Sequence, residues 1–181
     1  MVTLKRTPLS EHPCSIARAL DIAGEWWTLL IVRDVAYGVS RFRAIQEDLG
    51  ISANVLAERL QALVEAQILE QVVYQERPRR QEYRLTEKGS ELIPVLIALM
   101  QWGDRWGWPE GGGPVGVEHD ACGHSVRVQL RCEQCERELQ TQELRARLTV
   151  TAQSALPAEH LPGSISGRRL LAGADGVRLA P

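Results

Sequence analysis

The chain has little cysteine, four residues in 181, and no excess of either charge, with 21 Lys and Arg against 23 Asp and Glu. Four cysteines are too few for a disulfide scaffold. A net charge of -2 and a pI near 6.1 provide no overall basic field for nucleic acid or an anionic membrane, so any such binding must come from a local patch. No apolar run approaches the roughly 20 residues needed to span a bilayer, and Met1 to Pro8 lacks the apolar core of a signal peptide. The expectation is a soluble cytoplasmic protein that makes no membrane contact. There is no Gly-rich phosphate loop and no nucleophile, base and orienter pattern, and no internal repeat is visible. What remains is globular composition, 44% hydrophobic and 24% charged, long enough for one ordinary domain and an appendage.

The clearest break is Pro109-Glu110-Gly111-Gly112-Gly113-Pro114, where helix and strand patterns both stop. The resulting division is a helical domain over 1–108, a Gly/Pro linker over 109–116, a short Cys/His module over 117–148 and a turn-rich or disordered tail over 149–181. In the first part, Ile16, Ala19, Leu20 and Ala23 share one helical face, and Gly24 stops that helix. Trp26 to Val35 is apolar apart from Arg33 and Asp34 and reads as a buried helix ended by Tyr37-Gly38. Ser40 can cap a third helix with Phe42, Ile45 and Leu49 inward, closed by Gly50. Ser52 can cap a fourth, where Leu56, Leu60 and Leu63 form a narrow apolar stripe and leave Asn54, Glu58, Arg59 and Gln61 outward.

Leu69 to Tyr74 and Glu82 to Leu85 read as a β-hairpin whose tip, Gln75 to Arg80, holds three arginines. A long helix then opens at Thr86 and Glu87 and keeps helical spacing through Leu92, Leu96, Leu99, Trp102 and Trp106 to Gly107, with a kink expected at Pro94. The predicted fold class is mainly α with a small β-hairpin: a winged helix-turn-helix, followed by a small zinc-ribbon-like module.

Helices followed by a two-stranded hairpin place the last helix before the hairpin where it can enter the major groove. The tip would then be the wing. Arg77, Arg79 and Arg80 can neutralise phosphates or enter a narrow minor groove. Ser52 and Asn54, at a helix N-terminus, can reach phosphates or base edges, and Arg59 lies on the later exposed arc. Each has a plainer reading: a solvated hairpin tip, a cap at Ser52, and an ion pair of Arg59 with Glu58 or Glu65.

Residues 14 to 31, Cys-Ser-Ile-Ala-Arg-Ala-Leu-Asp-Ile-Ala-Gly-Glu-Trp-Trp-Thr-Leu-Leu-Ile, resemble the opening of HxlR-type winged-helix transcription regulators. Arg41-Phe42-Arg43, Ile51 to Leu60, Glu82 to Gly89 and Trp102 to Trp106 match the family's pattern in the same order. The resemblance covers about 12–108. It implies a bacterial or archaeal homodimeric regulator, MarR-like in the broad sense, that binds a near-palindromic operator and more often represses than activates. It also implies dimerisation through the N-terminal region and the last long helix. The apolar stripe ending in Trp102 and Trp106 suits such an interface independently.

Cys14 follows His12-Pro13 at the start of the first helix, where the helix dipole and an imidazole can favour the thiolate. Thiol sensing of oxidants is one reading, which the resemblance supports for some members; a small buried residue is the other. Trp26, Trp27, Trp102 and Trp106 can line an effector pocket, although buried aromatics more often provide packing. Beyond the linker, His119 with Cys122 and Cys132 with Cys135 form H-x2-C and C-x2-C pairs nine residues apart. Four such donors suit a structural Zn²⁺. His124 competes with His119 for the fourth position, and loose thiols are the alternative. Two rival functions stay open: a thiol- or metal-dependent enzyme at the Cys122/Cys132/Cys135 cluster, and a winged-helix protein-interaction module. The leading expectation is a DNA-binding regulator that is not an enzyme.

Overall fold

The computed structural model describes residues 9, 10, 12, 14–108, 112–146 and 177–178. Packing divides the chain into two compact units, Ile22–Val128 and a second formed by the residues up to Asp21 with those from Gln129 onward. The element order is α1 (Ser15–Ala23), α2 (Trp26–Ala36), α3 (Phe42–Leu49), α4 (Ala53–Glu65), β1 (Leu69–Glu76), β2 (Arg79–Leu85), α5 (Glu87–Ser90), α6 (Ile93–Trp106), β3 (Arg145–Ala146) and β4 (Val177–Arg178). The Gly/Pro stretch is described only from Gly112, and the tail beyond Ala146 lies outside the described residues except for β4, which pairs antiparallel with β3.

The core of the larger unit follows from helical spacing. On α2, Thr28, Ile31, Val32 and Val35 are buried, one step of three or four apart, so a single face turns inward. Ile45 of α3, Leu56, Leu60 and Leu63 of α4, and Ile51, Ile68 and Leu69 from the connections and β1 complete the cluster. Asp34 is buried on the same helix. Its Oδ1 accepts from Arg33 Nη2 at 2.6 Å and Nε at 2.9 Å, while Oδ2 has no partner. Burial accordingly pushes this carboxyl above its ordinary range, with Arg33 opposing.

Two expected boundaries differ. The third helix takes Arg41 rather than Ser40 as its N-cap residue; the Ser40 carbonyl instead accepts the Tyr83 N–H at 2.7 Å, tying β2 to the entry of α3. The long helix from Thr86 is two helices. Pro94 falls in the first turn of α6, where the missing N–H would have had no intrahelical partner anyway, so it starts a helix instead of kinking one. The strands also run further than expected: β1 and β2 pair from Leu69 opposite Leu85 to Glu76 opposite Arg79, with an irregularity between Val73 and Gln75. Only Arg77 and Pro78 remain as the turn.

α4 and the hairpin are joined by a tight clasp. Gln67 turns with a positive φ of 58°, and its carbonyl accepts from Thr86 Oγ1 at 2.7 Å. The Ile68 carbonyl accepts the Thr86 N–H at 3.1 Å, Lys88 Nζ donates to the Ala66 carbonyl at 2.7 Å, and Thr86 Oγ1 caps α5 by accepting from the Gly89 N–H at 3.0 Å. Gly89 is buried, and a Cβ there would run into the Ile68 carbonyl, which is backbone and cannot swing aside.

Gly89→Ala should therefore destabilise the protein by about 1–3 kcal/mol, the usual range for forcing atoms into filled space. A lower urea midpoint at unchanged m-value would show it; an unchanged midpoint would mean that the clasp gives way freely.

Candidate nucleic-acid interface

α3, the turn Gly50 to Ser52 and α4 form the helix-turn-helix. Gly50 closes α3 in the left-handed region, φ 62°, where glycine carries no Cβ penalty. Gln46 Nε2 reaches across the turn to the Ile51 carbonyl at 3.4 Å, and Ile51 is buried beneath it. Ser52 caps α4, its Oγ accepting the Val55 N–H at 3.3 Å, so the plain cap reading of Ser52 describes its bond. Leu56, Leu60 and Leu63 bury one face of α4. Asn54 lies in the first turn of the helix and is exposed.

The predicted contact residues divide by the company they keep. Arg59 is held within the protein, pairing with Glu58 through Nη2 and approaching Glu25 Oε2 at 3.9 Å through Nη1, and only 21% of its side chain is exposed. At the hairpin tip Arg77, Arg79 and Arg80 are all exposed. Arg79 stands opposite Glu76 and Arg80 opposite Gln75 in the strand register, yet among the described residues none of the three forms an ion pair. Gln75 Nε2 donates to the Arg77 carbonyl at 2.9 Å, which fixes the backbone of the tip and leaves the guanidinium groups outward.

Arg41 is a further cation beside the hairpin. Its guanidinium stacks on the Tyr74 ring at 4.4 Å from the centroid, linking the entry of α3 to β1 and adding a positive charge beside the hairpin. Helical spacing could not have shown this, because the partner lies on a strand 33 residues away in the sequence.

α2 and α6 border an apolar cavity of about 390 Å³ lined by Leu29, Leu30, Ile93, Leu96, Ile97 and Met100, among others. The expected aromatic pocket is not this one, since none of Trp26, Trp27, Trp102 and Trp106 lines it. Trp27 packs against the core, whereas Trp26, Trp102 and Trp106 are exposed by 88%, 66% and 66%. No residue of α6 is fully buried despite its apolar sequence.

The cysteines lie in separate settings. Cys14 is half-buried just before α1, and its N–H donates to His12 Nδ1 at 3.2 Å; the imidazole thus engages the backbone of Cys14. In the larger unit, His119 Nδ1 lies 3.1 Å from Cys122 Sγ. In the smaller unit, the Cys132 thiol pKa is lowered by the backbone N–H groups of Cys135 and Gln134 and by the Cys135 thiol, against opposition from burial and Glu133. Among the described residues, no three His, Cys, Asp or Glu side chains form a ready-made metal-holding group. The His124 carbonyl accepts the His119 N–H at 2.9 Å.

The HxlR-like helix-turn-helix family matches residues 22–110. The HTH-type transcriptional regulator Rv3095 of Mycobacterium tuberculosis is 42% identical over 125 residues, covering 69% of this chain and 79% of its own length. The HTH-type transcriptional regulator YodB of Bacillus subtilis is 37% identical over 89 residues, 49% of this chain and 80% of YodB. Among solved structures, the transcription factor PA1607 superposes with a TM-score of 0.70 at 37% identity, covering 77% of this chain and 98% of that one. The order of helices and hairpin, the exposed arginines at the tip and these likenesses agree: the chain belongs to the HxlR-like helix-turn-helix family of transcriptional regulators.

Proposed function

We propose that the protein is a homodimeric transcriptional repressor that lays α4 in the major groove of a near-palindromic operator and sets its hairpin tip against the adjoining backbone or minor groove. The observation that carries this is the contrast at the surface of the larger unit. Arg33, Arg43, Arg59 and Arg84 are each paired with a carboxylate, while Arg77, Arg79 and Arg80, at and beside the two-residue turn, pair with none among the described residues. Unpaired guanidinium groups on a rigid turn suit phosphate oxygens. Asn54 offers a donor and an acceptor in the first turn of α4, the chemistry that reads adenine. Ser52 adds a hydroxyl beside it, and Arg59 would need to leave its carboxylates to take part.

Fluorescence anisotropy with the protein's own upstream intergenic DNA, against a scrambled duplex and across a salt series, tests this reading. Wild-type protein should prefer the upstream DNA. Arg79→Ala should weaken binding to both sequences and lower the salt slope by about 1, whereas Asn54→Ala should lose about 1–3 kcal/mol on the operator alone. Equal binding to both duplexes by wild type would refute the operator reading.

The dimer rests on α6. Val95, Leu99, Trp102 and Trp106 are exposed apolar side chains, and a second copy of the chain is the partner that covers them. Two recognition helices related by a two-fold axis would then read half-sites one helical turn apart. Trp102→Glu together with Trp106→Glu should convert a dimer to monomer in sedimentation velocity and abolish tight operator binding. A wild-type monomer would refute this.

Cys14 is proposed as the sensing thiol: its thiolate attacks the O–O bond of a hydroperoxide, giving the sulfenic acid and releasing the alcohol or water. Peroxide should then release DNA from wild type but not from Cys14→Ser, and an equal response of the two would assign sensing elsewhere.

A further inference from the structure

The apolar cavity beside α2 and α6 has a polar neighbour. A second cavity, of about 380 Å³, is bordered by Asp34, Asp48, Asp104, Pro114 and Val115, and it shares Arg33, Tyr37 and Met100 with the first. Because these three residues line both, the two chambers adjoin. All the lining residues belong to the larger unit, Ile22–Val128, so the pair is a feature of one packed body. The first chamber is walled chiefly by side chains that offer a ligand no hydrogen bond, whereas the second brings three carboxyl groups and one guanidinium to its walls.

The guanidinium is already engaged. Arg33 Nη2 donates to Asp34 Oδ1 at 2.6 Å and to Asp48 Oδ2 at 3.2 Å, and Arg33 Nε donates to Asp34 Oδ1 as well. An anionic ligand would have to draw Arg33 away from both carboxylates while facing their charge. The acidic side is the one left incomplete. Asp34 Oδ2 has no partner although the side chain is only 2% exposed, and buried polar atoms are rarely left so. Asp104, half-buried near the end of α6, makes no hydrogen bond or ion pair among the described residues. A Cβ at Gly113 would collide with Asp104 Oδ1, so glycine there leaves that carboxyl its place beside the cavity. Asp48, half-exposed, completes the set on the side of the solvent.

We propose that the two chambers form one binding site for a lipophilic cation, a small molecule whose apolar body fills the space beside α2 and α6 and whose ammonium group lies among Asp34, Asp104 and Asp48. Each part answers an observation. The volume and the apolar lining of the first chamber suit a small organic molecule. A positively charged group with N–H donors satisfies Asp34 Oδ2 and offsets the surplus of carboxylates, which a neutral donor does only in part and an anion opposes. Burial holds the Asp34 carboxyl above its ordinary range, and a cation beside it relieves that cost. Arg33 keeps its place, since its bonds to Oδ1 leave Oδ2 for the ligand. Binding at this site needs no DNA and does not rest on the operator reading.

Isothermal titration calorimetry of the full-length chain with three molecules of closely matched shape tests the proposal: phenylbutylamine, an ammonium at neutral pH, the uncharged phenylbutanol and the anionic phenylbutyrate. Wild type should bind the amine at least about tenfold tighter than the alcohol, the ratio that one charge-assisted hydrogen bond supports, and should bind the carboxylate most weakly. Asp34→Asn should bring the amine down to the affinity of the alcohol and leave the alcohol unchanged. Asp104→Asn, at a less buried position, should lower the amine in the same selective way, which keeps the test decisive if the Asp34 variant does not fold. Met100→Trp, which sets a bulky ring where the chambers meet, should weaken amine and alcohol alike, and thermal melting of the helical signal checks that each variant is folded. Equal affinity of wild type for amine and alcohol overturns the cation site, as does full amine selectivity in both folded aspartate variants. No binding of any of the three up to millimolar concentration overturns the site altogether, the result expected if a second copy of the chain fills the apolar chamber.

Discussion

The clasp between Thr86, Lys88, Gly89 and the turn after α4 is the constraint on which the DNA-facing surface depends. A recognition helix and a wing are useful together only if the angle between them is fixed, and here the chain passes from one to the other in three residues, Ala66, Gln67 and Ile68. All three carbonyls are taken by the segment that follows the hairpin: Ala66 by Lys88, Gln67 by the Thr86 hydroxyl, and Ile68 by both the Thr86 N–H and its hydroxyl. The exit of the wing is thereby bolted to its entrance. Gly89 lets the backbones approach closely enough for this, and the Tyr83 N–H on Ser40 anchors β2 to the other helix of the motif.

Electrostatics complete the surface by subtraction. The chain carries a slight acidic excess, so a positive patch arises only where carboxylates are withheld. Along α2, α3 and α4 each of Arg33, Arg43 and Arg59 has an acidic neighbour within the protein, so those guanidinium groups contribute no unpaired positive charge. At the wing tip the nearest acid in register is Glu76, and it makes no ion pair with Arg79 among the described residues. Over a Debye length of about 8 Å at physiological salt, three guanidinium groups so placed act as a local field although the whole molecule has none.

Much of this was legible in the sequence because it depends on local rules. The leucine stripe of α4, the Ser52 cap and the glycine closing α3 are decided within a few residues, and each lies where spacing and residue type indicated. What spacing could not supply were contacts made across the fold. The Ser40 cap failed because the Ser40 carbonyl is tied to Tyr83 on β2 and the helix begins after Arg41. The unbroken helix from Thr86 failed because Thr86 is committed to the clasp, so the chain makes one short turn of helix, then restarts at Pro94. The pairing of Arg59 was foreseen as one of two possibilities, and only three-dimensional proximity to Glu58 and Glu25 resolves it.

The Cys/His loops illustrate the opposite case, in which the residue types were plain and the architecture was not. Two donor pairs can be read from any sequence that contains them. That both sit on the same hydrogen-bonded turn, one with glycine and the other with a clamped glutamate at the left-handed position, is visible only in the backbone. A segment with no buried residue gains little from the hydrophobic effect, so backbone hydrogen bonds and ion pairs exposed to water must hold its shape, and such interactions are individually weak. The winged helix is ordered by the ten buried apolar side chains found among the described residues; the loops have none, so their shape rests on how many of those weak bonds act together.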